Sequence, residues 1–139
     1  MEGAAFSVRP IGFVRSSLSD PREAANQAFE GAPEAVLEIE PQFAEALHLV
    51  RPGQDLILLT WLHLAERDVL LTHPRGDPST PLTGVFATRS PDRPNPIGLH
   101  RVTVTGIDPG NRLRVQALEA VDGTPILDLK AVMGESRDD

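Results

Sequence analysis

The densest group of chemically capable side chains in this sequence lies in the segment 84–98. The arginines and small polar residues of this segment are Arg89, Ser90, Arg93 and Asn95. Between and beside them, Pro91, Pro94 and Pro96 fix their own φ angles and favour extended conformations for the residues before them. A loop stiffened in this way loses little entropy when it orders around a ligand. The segment therefore predicts a preorganised, cationic surface that is rich in hydrogen-bond donors.

Arginine in this setting suits the recognition of a carboxylate, because the planar guanidinium can bind both carboxylate oxygens at once. Composition alone also allows an ordinary proline-rich connection with solvated arginines, so the residues leave both interpretations open. On the N-terminal side, the apolar residues 85–87 predict the end of a buried strand. Gly84 and Gly98 bracket the segment, where turns or close backbone contacts are expected.

The elements that would hold this segment are mostly short strands separated by turn signals. Strands are predicted at 6–15, 36–39, 56–63, 68–73, 102–105, 113–118 and 126–130. The run 56–63 is almost entirely apolar, which is typical of a central strand buried on both faces. Alternation on either side of the turn at 108–111 predicts a β-hairpin over 102–118.

One short helix is predicted to begin at Pro41, a position where a first-turn proline is tolerated. Three apolar residues at helical spacing are predicted to pack inward from this helix and the residues after it: Phe43, Leu47 and Val50. Seven or so strands with one or two short helices predict a mainly β fold, a single-domain small β-barrel. The sequence has neither a G-x-G-x-x-G motif nor regular βαβ alternation, which argues against a Rossmann fold.

Length and composition limit the domain count and the compartment. The 139 residues predict one domain over 1–139, with a core at 6–133, a polar tail at 134–139 and no C-terminal accessory domain. The chain has no cysteine, which excludes disulfides and thiol chemistry. No apolar run reaches transmembrane length and no signal peptide is recognisable, so we expect a cytoplasmic protein without membrane contact.

The charge distribution limits the kinds of molecule that this protein could bind. A formal net charge of −7 argues against broad, nonspecific binding to nucleic acid. Residues 84–104 nevertheless contain three arginines and one aspartate, a local net charge of +2, which allows a specific RNA contact. The four histidines are scattered without metal-ligand spacing, so no metal site is predicted.

The run GVFATRSPDRPNPIGLHRV at 84–102 closely resembles the signature of the TsaA/TrmO family. Further matches are the I-G-x-V-R-S start at 11–16 and the D-G-T-P-x-x-D-x-K pattern at 122–130. The resemblance implies a TsaA-like β-barrel that uses S-adenosylmethionine as its cofactor. It implies methyl transfer to N6 of threonylcarbamoyl-adenosine, the modified base beside the tRNA anticodon. It also implies a homodimer with tRNA as its partner.

The resemblance extends to individual site residues. The implied cofactor-binding residues are Asn26, Gln27, His63, Leu64, Arg89, Leu99, Leu118, Glu119 and Asp122. The implied substrate-binding residues are Arg93 and Asn95, and the catalytic candidates are Arg89, Arg93 and His63. Two placements are open for the P-R-Q element of the family, Ala25-Asn26-Gln27 and Pro21-Arg22-Glu23. The first placement keeps the spacing to the residues that follow.

Three functions are compatible with these residues. The first is methyl transfer to the modified adenosine, the second is a methyltransferase of the same fold with another substrate, and the third is a nonenzymatic module that binds S-adenosylmethionine or a nucleotide. In the first, N6 is a poor nucleophile because its lone pair is delocalised into the ring, so a basic site would favour loss of its proton. The general base is open among His63, Glu119 and Asp122.

Overall fold

The computed structural model describes residues 3–17 and 34–134, which contain eight strands and three short 3-10 helices. The strands are β1 (Gly12–Arg15), β2 (Ala35–Ile39), β3 (Asp55–Trp61), β4 (Leu71–Thr72), β5 (Thr83–Gly84), β6 (Ile97–Asp108), β7 (Arg112–Gln116) and β8 (Pro125–Ala131). The 3-10 helices are Pro41–Leu47, Pro74–Gly76 and Val85–Ala87. Within the described ranges, no helix has the length and apolar character needed to cross a membrane.

Six of these strands close into a barrel in the order β1-β2-β7-β6-β3-β8, with β8 pairing back onto β1. Every neighbouring pair in the barrel is antiparallel. Among the described strands, β4 and β5 pair only with each other, as a separate two-stranded ribbon. Closure satisfies the backbone groups that an open sheet would leave along its edges. The prediction of a mainly β, barrel-type fold is confirmed.

The core fills the barrel with aliphatic side chains from alternate positions of its strands. Fully buried examples are Val14, Leu37, Leu58, Val104, Leu113 and Ile126. The 3-10 helix Pro41–Leu47 covers the core from outside, and Phe43, Leu47 and Val50 pack against it as predicted. The predicted hairpin is also confirmed, since β6 and β7 pair in antiparallel register.

Two predicted strands are much shorter than expected. The strand expected over 6–15 begins only at Gly12, and Phe6 and Val8 are 83% and 71% exposed. The alternation of Phe6, Val8 and Pro10 is typical of a half-buried strand. No strand of the described residues pairs with this segment, however. The strand expected over 68–73 is reduced to Leu71–Thr72 for a related reason, because its one partner within 3–17 and 34–134 is the two-residue β5.

Two other elements differ in type or extent. Residues Val85–Ala87 form a 3-10 helix and not the end of a buried strand, and only Val85 of the three is buried. β6 begins at Ile97, well before the expected 102, because β3 pairs with it all the way from Thr103 to Ile97. Such pairing between distant segments is invisible in a local pattern.

The barrel register decides where the loops emerge. Trp61 at the end of β3 is paired with Ile97 at the start of β6, and Thr60 is paired with Ile126 near the start of β8. The loops over 62–96 and 117–124 therefore leave the same end of the barrel. A register irregularity between Leu59 and Thr60 lies at this end too, and such irregularities commonly re-aim side chains beside functional sites.

Candidate functional site

A cavity of about 600 Å³ opens at this loop end of the barrel. This volume lies within the range of about 300–1,000 Å³ typical of small-molecule sites. Apolar side chains from two loops line it, among them Leu62, Leu64 and Val121. Glu66, Asp92 and Glu119 also line it, and no Lys or Arg of the described ranges does so. We call this space the acidic cavity.

A buried polar pair lies at the base of the acidic cavity. His100, which lines the cavity, has its Nε2 2.9 Å from Oγ1 of Thr60, a residue with no exposed surface. Burial lowers the pKa of His100 to about 4, so its imidazole is neutral at pH 7. Gly98 leaves the space for this pair, since a Cβ at that position would collide with the Thr60 hydroxyl and stand 2.8 Å from the imidazole.

The motifs do not predict His100 as a cavity residue, and histidine spacing alone only argues against its being a metal ligand. The signal that could have found it is strand alternation, because Gly98, His100 and Val102 share one face of β6. That face points towards the core, as the burial of Gly98 and Val102 shows. No group of three His, Cys, Asp or Glu side chains in the described part of the chain is arranged to hold a metal ion.

Backbone hydrogen bonds join the proline-rich segment to the loop after β3. The Leu62 N–H donates to the Pro96 carbonyl (2.8 Å), and the Arg93 N–H donates to the Glu66 carbonyl (3.0 Å). The Glu66 N–H in turn donates to Oδ1 of Asp92 (2.9 Å). These bonds hold the two segments together along one wall of the acidic cavity, so that wall is formed before any ligand arrives.

Arg67, which no motif predicts as a site residue, reinforces this wall. Its guanidinium donates to the Pro94 carbonyl (2.8 Å) and to Oδ1 of Asn95 (3.0 Å). The same guanidinium stacks 5.1 Å from the ring centre of Trp61, a cation–π distance. The side-chain oxygen of Asn95 therefore has a structural partner, and the substrate contact assigned to Asn95 stays a prediction.

The Arg93 side chain folds back onto its own loop. Its Nη2 donates to the Val85 carbonyl (2.9 Å), and its Nη1 donates to the carbonyls of Thr88 (3.1 Å) and Ser90 (3.0 Å). Three charge-assisted bonds to backbone explain why the loop keeps one shape between its prolines. Arg93 thus has a structural role in this chain, and its catalytic and substrate roles stay predictions.

A second cavity, of about 930 Å³, adjoins the first. Its lining includes Thr72, His73, Arg75, Phe86, Arg89 and Ser90. Pro91 lines both cavities, so the two are neighbours on either side of the proline-rich segment. No carboxylate of the described residues lines this second space. We call it the basic cavity.

The predicted cofactor residues do not all meet in one place. His63, Leu64 and Glu119 line the acidic cavity together, whereas Arg89 lines the basic cavity. Leu118 is fully buried next to Glu119. Their contacts with a cofactor stay predictions.

The remaining predicted cofactor residues lie outside both linings. Leu99 is half-buried on β6, on the face opposite His100. Asp122 is exposed, and its Oδ1 accepts the Ser16 N–H (3.0 Å), which ties the turn before β8 to the end of β1. Asn26 and Gln27, and both placements of the P-R-Q element, lie outside the described residues.

A closed barrel with a ligand-sized cavity at its loop end places the protein in the class of small β-barrel domains, and not among nucleotide-binding sheets with crossover helices. The chain belongs to the family of tRNA-methyltransferase O N-terminal domains, whose model matches residues 13–137.

Relatives and solved structures agree with this family. A protein of Methanothermobacter thermautotrophicus named as a probable S-adenosyl-L-methionine-binding protein is 40% identical over 123 residues, 88% of this chain and 87% of the relative. A similarly named protein of Pyrococcus horikoshii is 37% identical over 134 residues, 94% of this chain and 85% of the relative. A crystal structure of TrmO superposes with a TM-score of 0.74 at 32% identity, over 94% of this chain. The chain spans 58% of the length of that TrmO. A crystal structure of TrmO from Pseudomonas aeruginosa matches 99% of this chain with a TM-score of 0.71 at 29% identity. The chain spans 63% of the length of this second TrmO.

Proposed function

We propose that this chain binds S-adenosylmethionine in the acidic cavity and transfers its methyl group to N6 of threonylcarbamoyl-adenosine in tRNA, next to the anticodon. Family membership supports the methyltransferase class, and the names of the relatives support the cofactor. The single observation that carries the proposal is the preformed acidic cavity against the family's signature segment. With tRNA as substrate, the proposed activity belongs to the cytoplasm.

The residues of the acidic cavity fit this cofactor in size and in charge. S-adenosylmethionine has a net positive charge, because its sulfonium and ammonium outweigh its single carboxylate, and its adenine ring offers a flat apolar face. Glu66, Asp92 and Glu119 supply negative charge to the cavity, and the aliphatic side chains of Leu62 and Leu64 supply apolar surface. Opposite charge in a partly enclosed site binds more strongly than in open water, because the effective dielectric constant is lower there. Once bound, the cofactor supplies the activated methyl group.

The chain's own part in the reaction is alignment and proton handling. The stiff segment 88–96 is proposed to hold the substrate against the cavity, and because the segment is already ordered, binding loses little conformational entropy there. N6 must come within roughly 3 Å of the methyl carbon for in-line displacement. It gives up a proton as it is methylated, and His63 and Glu119 are the proposed acceptors because both line the acidic cavity. Arg89, across Pro91, is the proposed partner of the threonyl carboxylate.

We also propose that the chain forms a homodimer through the β4–β5 ribbon. Leu70, Leu71 and Leu82 are exposed there, and an exposed apolar group of this kind is typical of an interaction surface. Light scattering on Leu82→Glu should give a monomer while Met133→Glu, at another exposed apolar residue, stays dimeric. Monomeric wild-type protein would refute the dimer.

The test of the function combines a binding and a transfer assay. Purified protein is incubated with labelled S-adenosylmethionine and two tRNA pools, one with and one without threonylcarbamoyl-adenosine, and nucleosides are located by mass spectrometry. We expect methyl gain on the modified base alone. Glu119→Gln should weaken cofactor affinity about two- to fivefold, as for one partly solvated charge pair, and Glu45→Gln on the 3-10 helix should not. Absence of cofactor binding would refute the proposal.

A second candidate is a module that binds the cofactor without transferring its methyl group to RNA. The naming of the relatives favours it, because they are called S-adenosyl-L-methionine-binding proteins. Tight cofactor binding with no methyl gain on either tRNA pool would establish this candidate over the first.

A further inference from the structure

We propose that the basic cavity is a docking chamber for single-stranded RNA, in which Phe86 stacks on a base and Arg75 binds a phosphate. The inference rests on the proposed function and deepens it, by naming residues that hold the RNA while the neighbouring base is methylated. Bases stacked on aromatic side chains beside cationic groups are the usual way in which proteins hold single-stranded nucleic acid.

The charge of the basic cavity is the first observation. The protein has 20 acidic and 13 basic residues, yet both charged residues among the described lining of this cavity, Arg75 and Arg89, are cations. Two acidic residues directly follow the lining segments. Asp77 accepts both the N–H (2.9 Å) and the hydroxyl (2.7 Å) of Ser79, and Asp92 accepts the Glu66 N–H (2.9 Å). An acidic protein that concentrates cations in one concave site can attract a polyanion there while repelling it elsewhere.

Phe86 is the second observation. Phe86 is 81% exposed although its neighbour Val85 is buried. The turn that carries it is pinned, because the Val85 carbonyl accepts bonds from the Thr88 N–H (3.0 Å), the Thr88 hydroxyl (2.8 Å) and the Arg93 guanidinium (2.9 Å). An aromatic ring held in solvent on a fixed backbone loses little freedom when a base stacks on it.

Arg75 is the third observation. It has φ 60° and ψ 18°, in the left-handed region, and is followed by Gly76 at φ 67°. Non-glycine residues in this region are uncommon and concentrate at ligand sites. The turn is held by the Gly76 N–H bond to the His73 carbonyl (2.9 Å) and the contact of His73 Nδ1 with the Thr80 carbonyl (2.9 Å). Within 3–17 and 34–134, no hydrogen bond or ion pair of the Arg75 guanidinium is found.

The position of the chamber connects it to methyl transfer. Pro91 lines both cavities, so an RNA strand held by Phe86 and Arg75 would pass directly beside the acidic cavity. One nucleotide then docks in the basic cavity while a neighbour turns towards the cofactor. A free nucleotide offers the same base and phosphate, so the experiment must distinguish a strand from a mononucleotide.

The test measures the affinity of a fluorescent anticodon stem-loop RNA for Phe86→Ala and Arg75→Asn, with cofactor affinity measured in parallel. Asparagine tolerates the left-handed backbone, so Arg75→Asn removes the charge without disturbing the turn. Matched controls are Phe6→Ala, at a phenylalanine 83% exposed elsewhere, and Arg51→Ala. We expect each test variant to weaken RNA binding about tenfold or more with cofactor affinity unchanged. Arg75→Asn should also lower the salt slope by about one.

Three results would overturn the inference. They are unchanged RNA affinity in both test variants, competition by adenosine monophosphate as strong as that of the stem-loop, and conversion of a dimer to a monomer by Phe86→Ala. If wild-type protein methylates tRNA but the variants bind RNA normally, the inference fails and the proposed function stands. If wild-type protein methylates nothing but the variants lose RNA affinity, the proposed function fails and the inference stands.

Discussion

Acidification should destabilise this protein in a pH window that His100 sets. Its imidazole has an ordinary pKa of 6.5 in the unfolded chain and a pKa lowered by burial to about 4 in the folded protein. Between these values the unfolded chain binds a proton that the folded protein does not. The free energy of unfolding is therefore at its full value above pH 6.5 and decreases as the pH falls towards about 4.

The size of the effect follows from the separation of the two pKa values. A difference of about 2.5 units at 1.36 kcal/mol per unit amounts to about 3 kcal/mol. That is a large part of the 5–15 kcal/mol by which domains of this size are typically stable. The charged side chains that face the imidazole across the cavity are Glu66, Asp92 and Glu119.

Urea unfolding at several pH values from about 7 to about 4 measures this decrease. The variant His100→Gln keeps a group that can bond the Thr60 hydroxyl but cannot take up the proton, so its unfolding free energy should decrease about 3 kcal/mol less than that of the wild type. The matched control His48→Gln removes an exposed histidine and should retain the wild-type slope. Parallel curves for wild type and His100→Gln would refute the burial argument.

Three further predictions concern packing. Gly98→Ala should destabilise the protein by about 1–3 kcal/mol, because the added Cβ overpacks against Thr60. The control Gly84→Ala should be tolerated, since Gly84 has φ −61° and no atom lies within 4 Å of the added Cβ. Thermal unfolding of both variants compares their stabilities. Arg93→Ala should cost about 1–3 kcal/mol and speed amide hydrogen exchange over 85–90, and unchanged exchange would contradict its structural role. Leu58→Ala in the fully buried core should cost about 2–5 kcal/mol in urea unfolding, and a cost under about 1 kcal/mol would contradict the assigned packing.

Much of the barrel could be predicted because its strands follow local rules. The apolar run at 56–63 contains most of β3, and the alternation around the turn at 108–111 predicted the β6–β7 hairpin. The helical spacing of Phe43 and Leu47 also predicted their inward packing. These patterns depend on the period of the backbone itself, which a sequence displays directly.

Local patterns were wrong where a strand needs a partner. Phe6 and Val8 alternate as a strand would, yet they stay exposed because no described strand lies beside them. Phe86 has the character of a core residue and faces solvent instead, because the chain turns at Val85–Ala87. Whether an apolar side chain is buried depends on what the rest of the chain brings next to it.

The sequence by itself determined the family resemblance, the barrel class and the stiff cationic segment 84–98, because these depend on residue types at close spacing. Only the tertiary structure decided how those residues are used. It turned Arg93 onto its own backbone, separated Arg89 from His63 across Pro91, and placed His100 beneath the acidic cavity. The physical reason is barrel closure, since the pairing of β3 with β6 sets which distant side chains share a wall, and no local spacing records that pairing.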